Sequence, residues 1–350
     1  DLYIGMKEGY YSSDYFTGKM DDLRIYNRAL SATEVSNLYN NGVLAKPQFF
    51  NIPKLLVAHY KFNGDVKDYS GLGNHAKVAA GKIQYVDGVN GKAAKFTKKA
   101  YLEVADSTTL DFDRGFTATG WINIGGDSNM SVIYKNGVST SDNSNDLTFR
   151  MLVRDDFFEF DYVPFGNQSG QEHASYSTDS SVKNKWIHFA ITFDGKEFRW
   201  YRNGKVAYKE KAPDNDGVDL SHATGSLLIG SDGSNFFNGS LDELQIYNYS
   251  LSSNQVASLY KQKDSLSISS NNQKAINGLK VKGTVDLAVT RTYYETKKSD
   301  KVTSGVTYKS SNNKIFTVSK TGKITAVKKG KATLTISHGG ISKTYTVYVK

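Results

Sequence analysis

A passage of 24 residues occurs twice in this chain at a constant separation of 221 positions, and this spacing limits what the chain can fold into. Residues 16–39 read FTGKMDDLRIYNRALSATEVSNLY and residues 237–260 read FNGSLDELQIYNYSLSSNQVASLY, with no gap between the two copies. A single long separation indicates duplication of a whole domain rather than a short solenoid unit. A long run of strand-like sequence precedes the second copy, whereas almost nothing precedes the first. We therefore expect residues 1–46 to be the C-terminal tail of a domain whose body lies upstream in a larger protein.

The rest of the chain divides at two polar or proline-containing segments. Residues 47–54 contain two of the four prolines and are predicted to be a linker, and a short polar segment, KQKDS, follows the second repeat copy. Between and beyond these lie predicted domains at residues 55–260 and 265–350. Their runs of β-branched and aromatic residues have the length of strands and are separated by Gly, Asn and Asp. This pattern predicts an all-β chain built of antiparallel sandwiches.

The repeated passage predicts one strand followed by one short helix. Alternating residues in LDELQIY indicate the strand. Ser252 and Gln255, like Ser31 and Glu34 in the first copy, have the spacing of a capping box. In a capping box the serine side chain accepts from the backbone amide of the third helical residue, and the side chain of that residue accepts from the serine backbone amide. We expect Val256 and the apolar residues three and four positions later to share one face of this helix.

Charge is distributed unevenly along the chain. Residues 265–350 contain 16 Lys and Arg against 3 acidic residues, a net charge of +13, while residues 1–264 contain 28 against 32, a net charge of −4. A surface of this kind attracts polyanions, and we expect anionic cell-wall polymers rather than nucleic acid as partners of the C-terminal domain. A solvated lysine-rich surface with no partner is the alternative. The sequence has no cysteine, which excludes disulfides, and no apolar run long enough to span a membrane.

Motifs of known enzyme classes are incomplete in this sequence. Residues 71–76, GLGNHA, have the glycine spacing of a dinucleotide site but no βαβ setting. Glu159 and Asp161 are spaced like two of three catalytic carboxylates of a β-glucanase, but Pro164 stands where the third would be. The histidines lack the spacing of a zinc site. We expect this chain to catalyse no reaction.

Three segments resemble the laminin G-like jelly-roll domains of the concanavalin A-like superfamily, namely YKFNGDVKDYSGLGNHA, WIHFAITFDGKEFRWYRNGK and GSLDELQIYNYSLSSNQVASLY. The resemblance covers residues 55–260, and residues 1–40 resemble the C-terminal end of that family. Residues 306–349 resemble a bacterial immunoglobulin-like domain of group 2. Together the resemblances imply a concanavalin A-like jelly-roll sandwich followed by an immunoglobulin-like β-sandwich. Neither specifies a ligand, because such folds carry many functions.

A structural calcium ion is the cofactor that we expect. Asp242 has the alternation phase of Leu244 and Ile246, which predicts that it faces the core, where a carboxylate needs a partner. A β-bulge that turns it outward is the alternative. The resemblance implies that the first strand of the domain lies beside the last, and that family members often hold calcium near this point. The predicted ligands are Asn63, Asp65, Asp68, Asn74 and Asp242, since calcium requires six to eight oxygens. An ion-free loop rich in Asx turns is the other interpretation.

Four aromatic residues are candidates for stacking on sugar rings. Phe157, Phe236 and Phe237 lie in acidic or Gly- and Asn-rich surroundings, and Trp200 lies in a strand-like segment. Aromatic faces bind the apolar faces of sugars. For each residue the alternative is a place in the core.

These features together predict a non-catalytic carbohydrate-binding accessory region of an extracellular bacterial protein, secreted or attached to the cell wall. An upstream glycoside hydrolase, for example an arabinan-degrading one, is the expected catalytic partner, and a polysaccharide or a glycoprotein glycan is the expected ligand. A surface adhesin that binds glycoproteins and a structural spacer are the alternatives.

Overall fold

Two facing antiparallel sheets form the larger domain, and this arrangement follows from the alternation of apolar and polar residues along the strands. The structure is a computed structural model that describes Met20, Leu23 and residues 55–350, except residues 98, 113–114, 127–129, 137–146, 155–156, 163–171, 178–181 and 213–224. The predictions for residues 1–46 and for the linker at 47–54 fall outside the described residues, apart from those two single positions.

The described strands of this domain are numbered in chain order. They are β1 (Leu56–Tyr60), β2 (Ala76–Ala80), β3 (Gln84–Asp87), β4 (Lys92–Phe96), β5 (Tyr101–Val104), β6 (Phe116–Ile124), β7 (Met130–Asn136), β8 (Leu147–Arg154), β9 (Phe157–Tyr162), β10 (Glu172–Ser177), β11 (Trp186–Phe193), β12 (Glu197–Arg202), β13 (Lys205–Lys211), β14 (Leu227–Ile229) and β15 (Gly239–Tyr247). A 3₁₀ helix at Thr108–Leu110 follows β5.

The strands form two sheets with the core between them. The first sheet has the order β13-β12-β11-β6-β15-β4-β3, with β1 also paired to β15, and the second has the order β10-β9-β8-β7-β14-β5-β2. The antiparallel pairing of β1 with β15 confirms the neighbourhood that the resemblance implies. Buried residues from both sheets, among them Phe116, Phe160 and Ile191, form one continuous hydrophobic cluster. Burial of this apolar surface is the main force that holds the two sheets together.

The helix predicted at the end of the repeat is α1 (Ser253–Lys261). Its capping box is confirmed, because the Ser252 side chain accepts from the Gln255 amide and the Gln255 side chain accepts from the Ser252 amide. Val256 is buried with Ala190, and Leu259 packs against the same small cluster. The helix therefore covers part of the outer face of the first sheet.

The C-terminal domain consists of short strands in three small sheets. Its elements are β16 (Ser265–Ile268), α2 (Ser270–Ile276), β17 (Asn277–Leu279), β18 (Thr284–Asp286), β19 (Val289–Thr292), β20 (Ser299–Lys301), β21 (Thr307–Ser310), β22 (Phe316–Val318), β23 (Lys323–Ala326), β24 (Gly330–His338) and β25 (Ile341–Val349). The sheet orders are β16-β19-β20, β17-β25-β24-β21 and β18-β23-β22. Strand β17 runs parallel to β25, and the other pairs are antiparallel. The predicted all-β fold class, a jelly roll followed by an immunoglobulin-like sandwich, is confirmed.

The two domains share a hydrophobic cluster. Val89 and Trp121 of the jelly roll belong to the same buried cluster as Leu266, Leu334 and Ile341 of the C-terminal domain. Residues 54–350 accordingly form one compact unit. In the part of the chain that the structure describes, the helices are too short or too polar to cross a bilayer.

Candidate functional site

The outer face of the second sheet carries a line of polar and aromatic side chains that we call the polar row. Cross-strand pairing places Glu103 beside Leu228, Leu228 beside Tyr134, Tyr134 beside Arg150, and Arg150 beside Asp161. Residues paired directly across antiparallel strands lie on the same face of a sheet. The neighbours of these residues along each strand, such as Leu102, Ile229, Met151 and Phe160, are buried in the jelly-roll core. The polar row therefore points away from the core.

Arg150 is the centre of the polar row. Its Nε donates to Asp161 Oδ2 at 2.6 Å and its Nη1 to Asp232 Oδ2 at 3.3 Å. The side chains of Asp161 and Asp232 are 0% and 3% exposed, whereas that of Arg150 is 22% exposed. Two buried carboxylates thus hold the guanidinium of a side chain that stays partly exposed. Such charge-assisted bonds fix the direction of the remaining N–H donors.

A tight loop between β14 and β15 carries Asp232 and Phe236. Asp232 Oδ1 accepts the amides of Ser234 and Asn235, at 3.0 and 2.7 Å, which makes an Asx turn. The turn closes with a β-bridge between Ser231 and Phe236. It is the local sequence SDGSNF, with its short polar residues and glycine, that favours this turn.

Phe236 and Tyr101 form an aromatic pair at one end of the polar row. Their ring centroids are 6.3 Å apart, and both side chains are partly exposed. Next to Tyr101 in space, Glu103 accepts from the Ser226 hydroxyl and pairs with Lys77 at 3.1 Å. The Ser226 hydrogen bond first, and Lys77 second, lower the pKa of Glu103, so that it is ionised at neutral pH. This surface combines aromatic edges with hydrogen-bonding groups of both signs.

The stacking predictions for two of the four aromatic residues are wrong. Trp200 is 1% exposed and Phe237 is fully buried, so neither ring can face a ligand. Trp200 packs near Phe158, with 6.0 Å between ring centroids, and Phe237 packs near Phe96 at 5.8 Å. Both rings belong to the hydrophobic cluster of the jelly-roll core.

The other two stacking candidates have different outcomes. Phe236 is partly exposed beside Tyr101, and its role stays a prediction. The side chain of Phe157 lies outside the described residues, although its backbone is part of β9.

Sequence reasoning missed Tyr134 and Arg150. In LTFRMLVR the arginine stands between Phe149 and Met151, which are both buried, so that alternation alone assigns it to the outward face. That signal was present in the sequence. The partner Asp232, which comes from a loop about 80 positions later, has no such signal.

The loop residues predicted to bind calcium have hydrogen-bond donors of their own. Asp68 accepts the amides of His59, Ser70 and Asn74 at 2.8 to 3.0 Å, together with the Ser70 hydroxyl. Asp65 accepts from Lys67 and Tyr69, Asn63 accepts from Lys92, and Asn74 donates to Val57 and Thr109. These bonds support the Asx-turn interpretation of the loop.

Asp242, the fifth predicted ligand, is fully buried and accepts two amides. Its Oδ2 accepts from Val89 at 2.7 Å and from Asn90 at 2.8 Å. Among the described residues, no group of three or more histidine or acidic side chains is arranged to hold a metal ion. Calcium binding by these five residues stays a prediction from the sequence.

Asp242 lies on the outer face of β15, not on the core face that alternation predicts. Leu241 and Leu244 both belong to the jelly-roll core although they are three positions apart, because a β-bulge interrupts the pairing of β15 with β6. Glu243 in the bulge has a φ of 49°. Asp242 is thereby paired with Trp121 on the outer face, and the prediction that it shares the phase of Leu244 is wrong. Its carboxylate lies against the segment at residues 88–90 instead of in the core.

The family model described as the concanavalin A-like lectin/glucanases superfamily matches residues 1–36 and 96–257, which is more than half of the chain. This chain belongs to that superfamily. A second model, described as the bacterial Ig-like domain of group 2, matches residues 268–347. Both resemblances predicted from the sequence are confirmed. A search of curated proteins finds no match.

Solved structures similar to this concanavalin A-like protein come from several bacterial proteins. Domain 4 of AbnA, a GH43 extracellular arabinanase from Geobacillus stearothermophilus in complex with arabinotriose, is 21% identical, with 59% of this chain and 98% of that chain covered and a TM-score of 0.44. The binding domain of Paraclostridial Mosquitocidal Protein 1 is 16% identical, with 81% and 75% covered and a TM-score of 0.48. The binding domain of botulinum neurotoxin serotype G is 12% identical, with 84% and 79% covered and a TM-score of 0.50. At this identity the likeness to the neurotoxin domain shows a shared fold alone.

Proposed function

We propose that this chain is a non-catalytic carbohydrate-binding accessory region of a larger extracellular bacterial protein. The observation that carries the proposal is Arg150, held by two buried carboxylates on an outward sheet face and flanked by Tyr134. Membership of a superfamily of lectins and glucanases supports a saccharide as the ligand. An upstream glycoside hydrolase, for example an arabinan-degrading one, is the partner that such a region would keep on its polysaccharide.

The polar row suits a neutral hydroxyl-rich ligand. Arg150 presents N–H donors in a fixed plane, and Glu103 presents acceptors at the β5 end of the row, beside Tyr101. Rings of Tyr134, Tyr101 and Phe236 supply partly exposed aromatic surface between and beside them. Sugar hydroxyls alternate as donors and acceptors around an apolar ring face, which matches this arrangement. We expect weak binding, with a Kd in the high micromolar to millimolar range typical of a small open site.

Catalysis by the paired carboxylates of β9 is not part of the proposal. Asp161 is fully buried and its Oδ2 is 2.6 Å from Arg150 Nε, so its charge serves to hold the arginine. A glycosidase nucleophile needs an open path to the sugar. Pro164, which stands where the third catalytic carboxylate would be, lies outside the described residues.

Affinity gel electrophoresis of the whole chain on arabinan, xylan and galactan, together with a glycan array, tests the proposal. We expect retardation on at least one polymer. Because a stacked ring contributes roughly 1 kcal/mol or more, Tyr134→Ala should weaken that retardation about fivefold or more. Tyr69→Ala, which removes an exposed tyrosine from a loop outside the polar row, is the matched control and should bind normally. Absence of binding to every glycan, or equal binding by Tyr134→Ala, would contradict the proposal.

A further inference from the structure

A cavity of about 650 Å³ lies between the jelly-roll domain and the C-terminal domain. It lies beside the first sheet, whereas the polar row is on the second sheet, so the two sites are separate. Trp121 and Trp186 of the jelly roll, Tyr260 of α1, Lys263 of the connection, and Lys343 and Tyr345 of β25 contribute to its walls. Small-molecule sites in proteins typically measure roughly 300–1,000 Å³. We call this space the interdomain cleft.

Aromatic rings form much of the wall of the interdomain cleft. Trp121 is 5% exposed and forms the floor, with its ring 5.5 Å from that of Tyr260 and 5.2 Å from that of His188 beneath it. Trp186, Tyr260 and Tyr345 are partly exposed. The cleft therefore offers accessible aromatic surface of the kind that stacks on sugar rings.

Positive charge dominates the interdomain cleft. The Lys263 ammonium lies 4.1 Å from the Tyr260 ring centroid and 5.1 Å from that of Trp121. Lys343 is exposed on the opposite wall. Neither lysine has a carboxylate partner among the described residues. Burial, and second the Lys263 charge, hold the pKa of His188 to about 3, so this ring below the floor is neutral.

The acidic residue in the wall does not cancel this charge. Asp264 is 4% exposed, and its Oδ2 accepts from Arg291 Nε at 2.7 Å and from the Gly91 amide at 3.1 Å. Its Oδ1 accepts the Tyr294 amide at 2.8 Å. Because Arg291 neutralises Asp264, the charge available to a ligand comes from the two lysines. An anionic group that enters the cleft would meet an ammonium already positioned over an aromatic ring.

We propose that the interdomain cleft binds an acidic sugar residue, such as a uronate within an oligosaccharide, with its carboxylate on Lys263 and its ring against Tyr260. The polar row has carboxylates of its own and suits neutral sugars, so the two sites differ in ligand class. The cleft exists only while the domains are docked, since its walls come from both of them. The second domain thus completes a site that the jelly roll alone lacks.

Isothermal titration of the full chain with trigalacturonate tests this proposal, and the methyl ester of trigalacturonate is the uncharged control ligand. We expect the acid to bind and the ester to bind much more weakly. Since a hydrogen bond to a charged group contributes about 1.5 kcal/mol or more, Lys263→Gln should weaken binding of the acid about tenfold. Lys343→Gln should weaken it by a smaller factor. Lys314→Gln removes the same charge from an exposed position outside the cleft and should leave binding unchanged.

Three results would overturn the proposal. They are absence of trigalacturonate binding, equal affinity for the acid and its ester, and equal loss of affinity in Lys263→Gln and Lys314→Gln. The third result would indicate attraction by the general charge of the domain. Thermal melts of each variant establish that it is folded. Tyr134 belongs to the polar row, so Tyr134→Ala should bind trigalacturonate with unchanged affinity. Failure of one proposal can therefore be told apart from failure of the other.

Discussion

Asp242 shows how one buried carboxylate depends on its surroundings. Its Oδ2 accepts two amides, whereas its Oδ1 has no hydrogen-bond partner among the described residues. Burial first, and the neighbouring Glu243 second, raise the pKa of Asp242 well above its usual range, although the amide hydrogen bonds oppose this. As the pH rises from about 4 through this raised pKa, the folded state keeps a proton that the unfolded state has lost. Stability from this group therefore falls with rising pH in that window.

Replacement of Asp242 by asparagine should retain the structure and remove this pH dependence. The asparagine oxygen can accept the amides of Val89 and Asn90, and no charge is buried, so we expect a free energy of unfolding at pH 7 equal to or above that of the unsubstituted protein. Asp242→Ala leaves both amides without an acceptor and should cost about 2–6 kcal/mol, because each unsatisfied buried group costs about 1–3 kcal/mol. Urea denaturation at pH 4 to 8 measures both.

The same variants also test the calcium prediction. Equal melting of the unsubstituted protein with calcium and with chelator would contradict that prediction. A calcium-dependent rise in Tm that disappears in Asp242→Asn would instead show that the carboxylate binds the ion.

At the scale of elements, the turn of the hairpin between β24 and β25 packs against the jelly-roll domain. His338 pairs with Ile341, and the two intervening glycines, Gly339 and Gly340, have φ of +52° and +79°. A two-residue turn with both φ values positive fits the twist of a hairpin and strongly favours glycine. A Cβ at Gly340 would overlap the indole of Trp186. The turn can therefore approach the jelly roll closely only because it lacks side chains.

Gly340→Ala should destabilise the protein more than backbone strain alone does. Gly73 provides the matched control, since it has φ of +80° and a Cβ there would meet no atom of the described residues within 4 Å. We expect Gly73→Ala to cost about 1 kcal/mol through its left-handed backbone. Gly340→Ala should cost about 1–3 kcal/mol more through overpacking against Trp186. Equal effects of the two substitutions in urea denaturation would show that the turn does not press on the indole.

At the scale of the whole molecule, a buried ion pair fixes the two domains to each other. Arg291 and Asp264 have side chains that are 4% and 2% exposed. Arg291 Nη2 also donates to the carbonyls of Gly88 and Gly91, at 3.1 and 3.3 Å. The segment 88–91 thus binds Asp242 through its amides and Arg291 through its carbonyls. One short loop of the jelly roll connects the last strand of its own domain to β19 of the other.

Arg291→Met should uncouple the domains. It leaves the Asp264 charge buried without its partner, which typically costs about 3–5 kcal/mol. We expect calorimetry to show one transition for the unsubstituted chain and two for the variant, and the double variant Arg291→Met/Asp264→Asn should recover part of the loss.

Lys61→Met is the control for Arg291→Met. It breaks the more exposed interdomain pair between Lys61 and Glu295, whose side chains are 23% and 45% exposed, and should cost less than about 1 kcal/mol. A single transition with unchanged Tm in Arg291→Met would mean that the hydrophobic cluster around Val89 and Trp121 suffices to dock the domains.

Much of the fold could be predicted from residues close together in the chain. Strand-length runs of β-branched and aromatic residues such as WIHFAITF predicted strands, and Ser252 with Gln255 predicted the start of α1. In LTFRMLVR, alternation places Arg150 on the outer face of its strand. These features depend on backbone propensities and side-chain direction over a few residues, which local sequence determines by itself.

Only the tertiary structure decided what surrounds the buried polar groups. The bulge at Glu243 moves Asp242 to the other face of β15, and no pattern in LDELQIY distinguishes a bulged strand from a regular one. Trp121 looks like a core residue, yet its ring lies between the two domains. Arg291 reaches the carbonyls at 88 and 91 across about 200 positions of sequence. Such partners are determined by how complete domains pack, because a buried charge or ring is stabilised by whichever groups the fold brings to it.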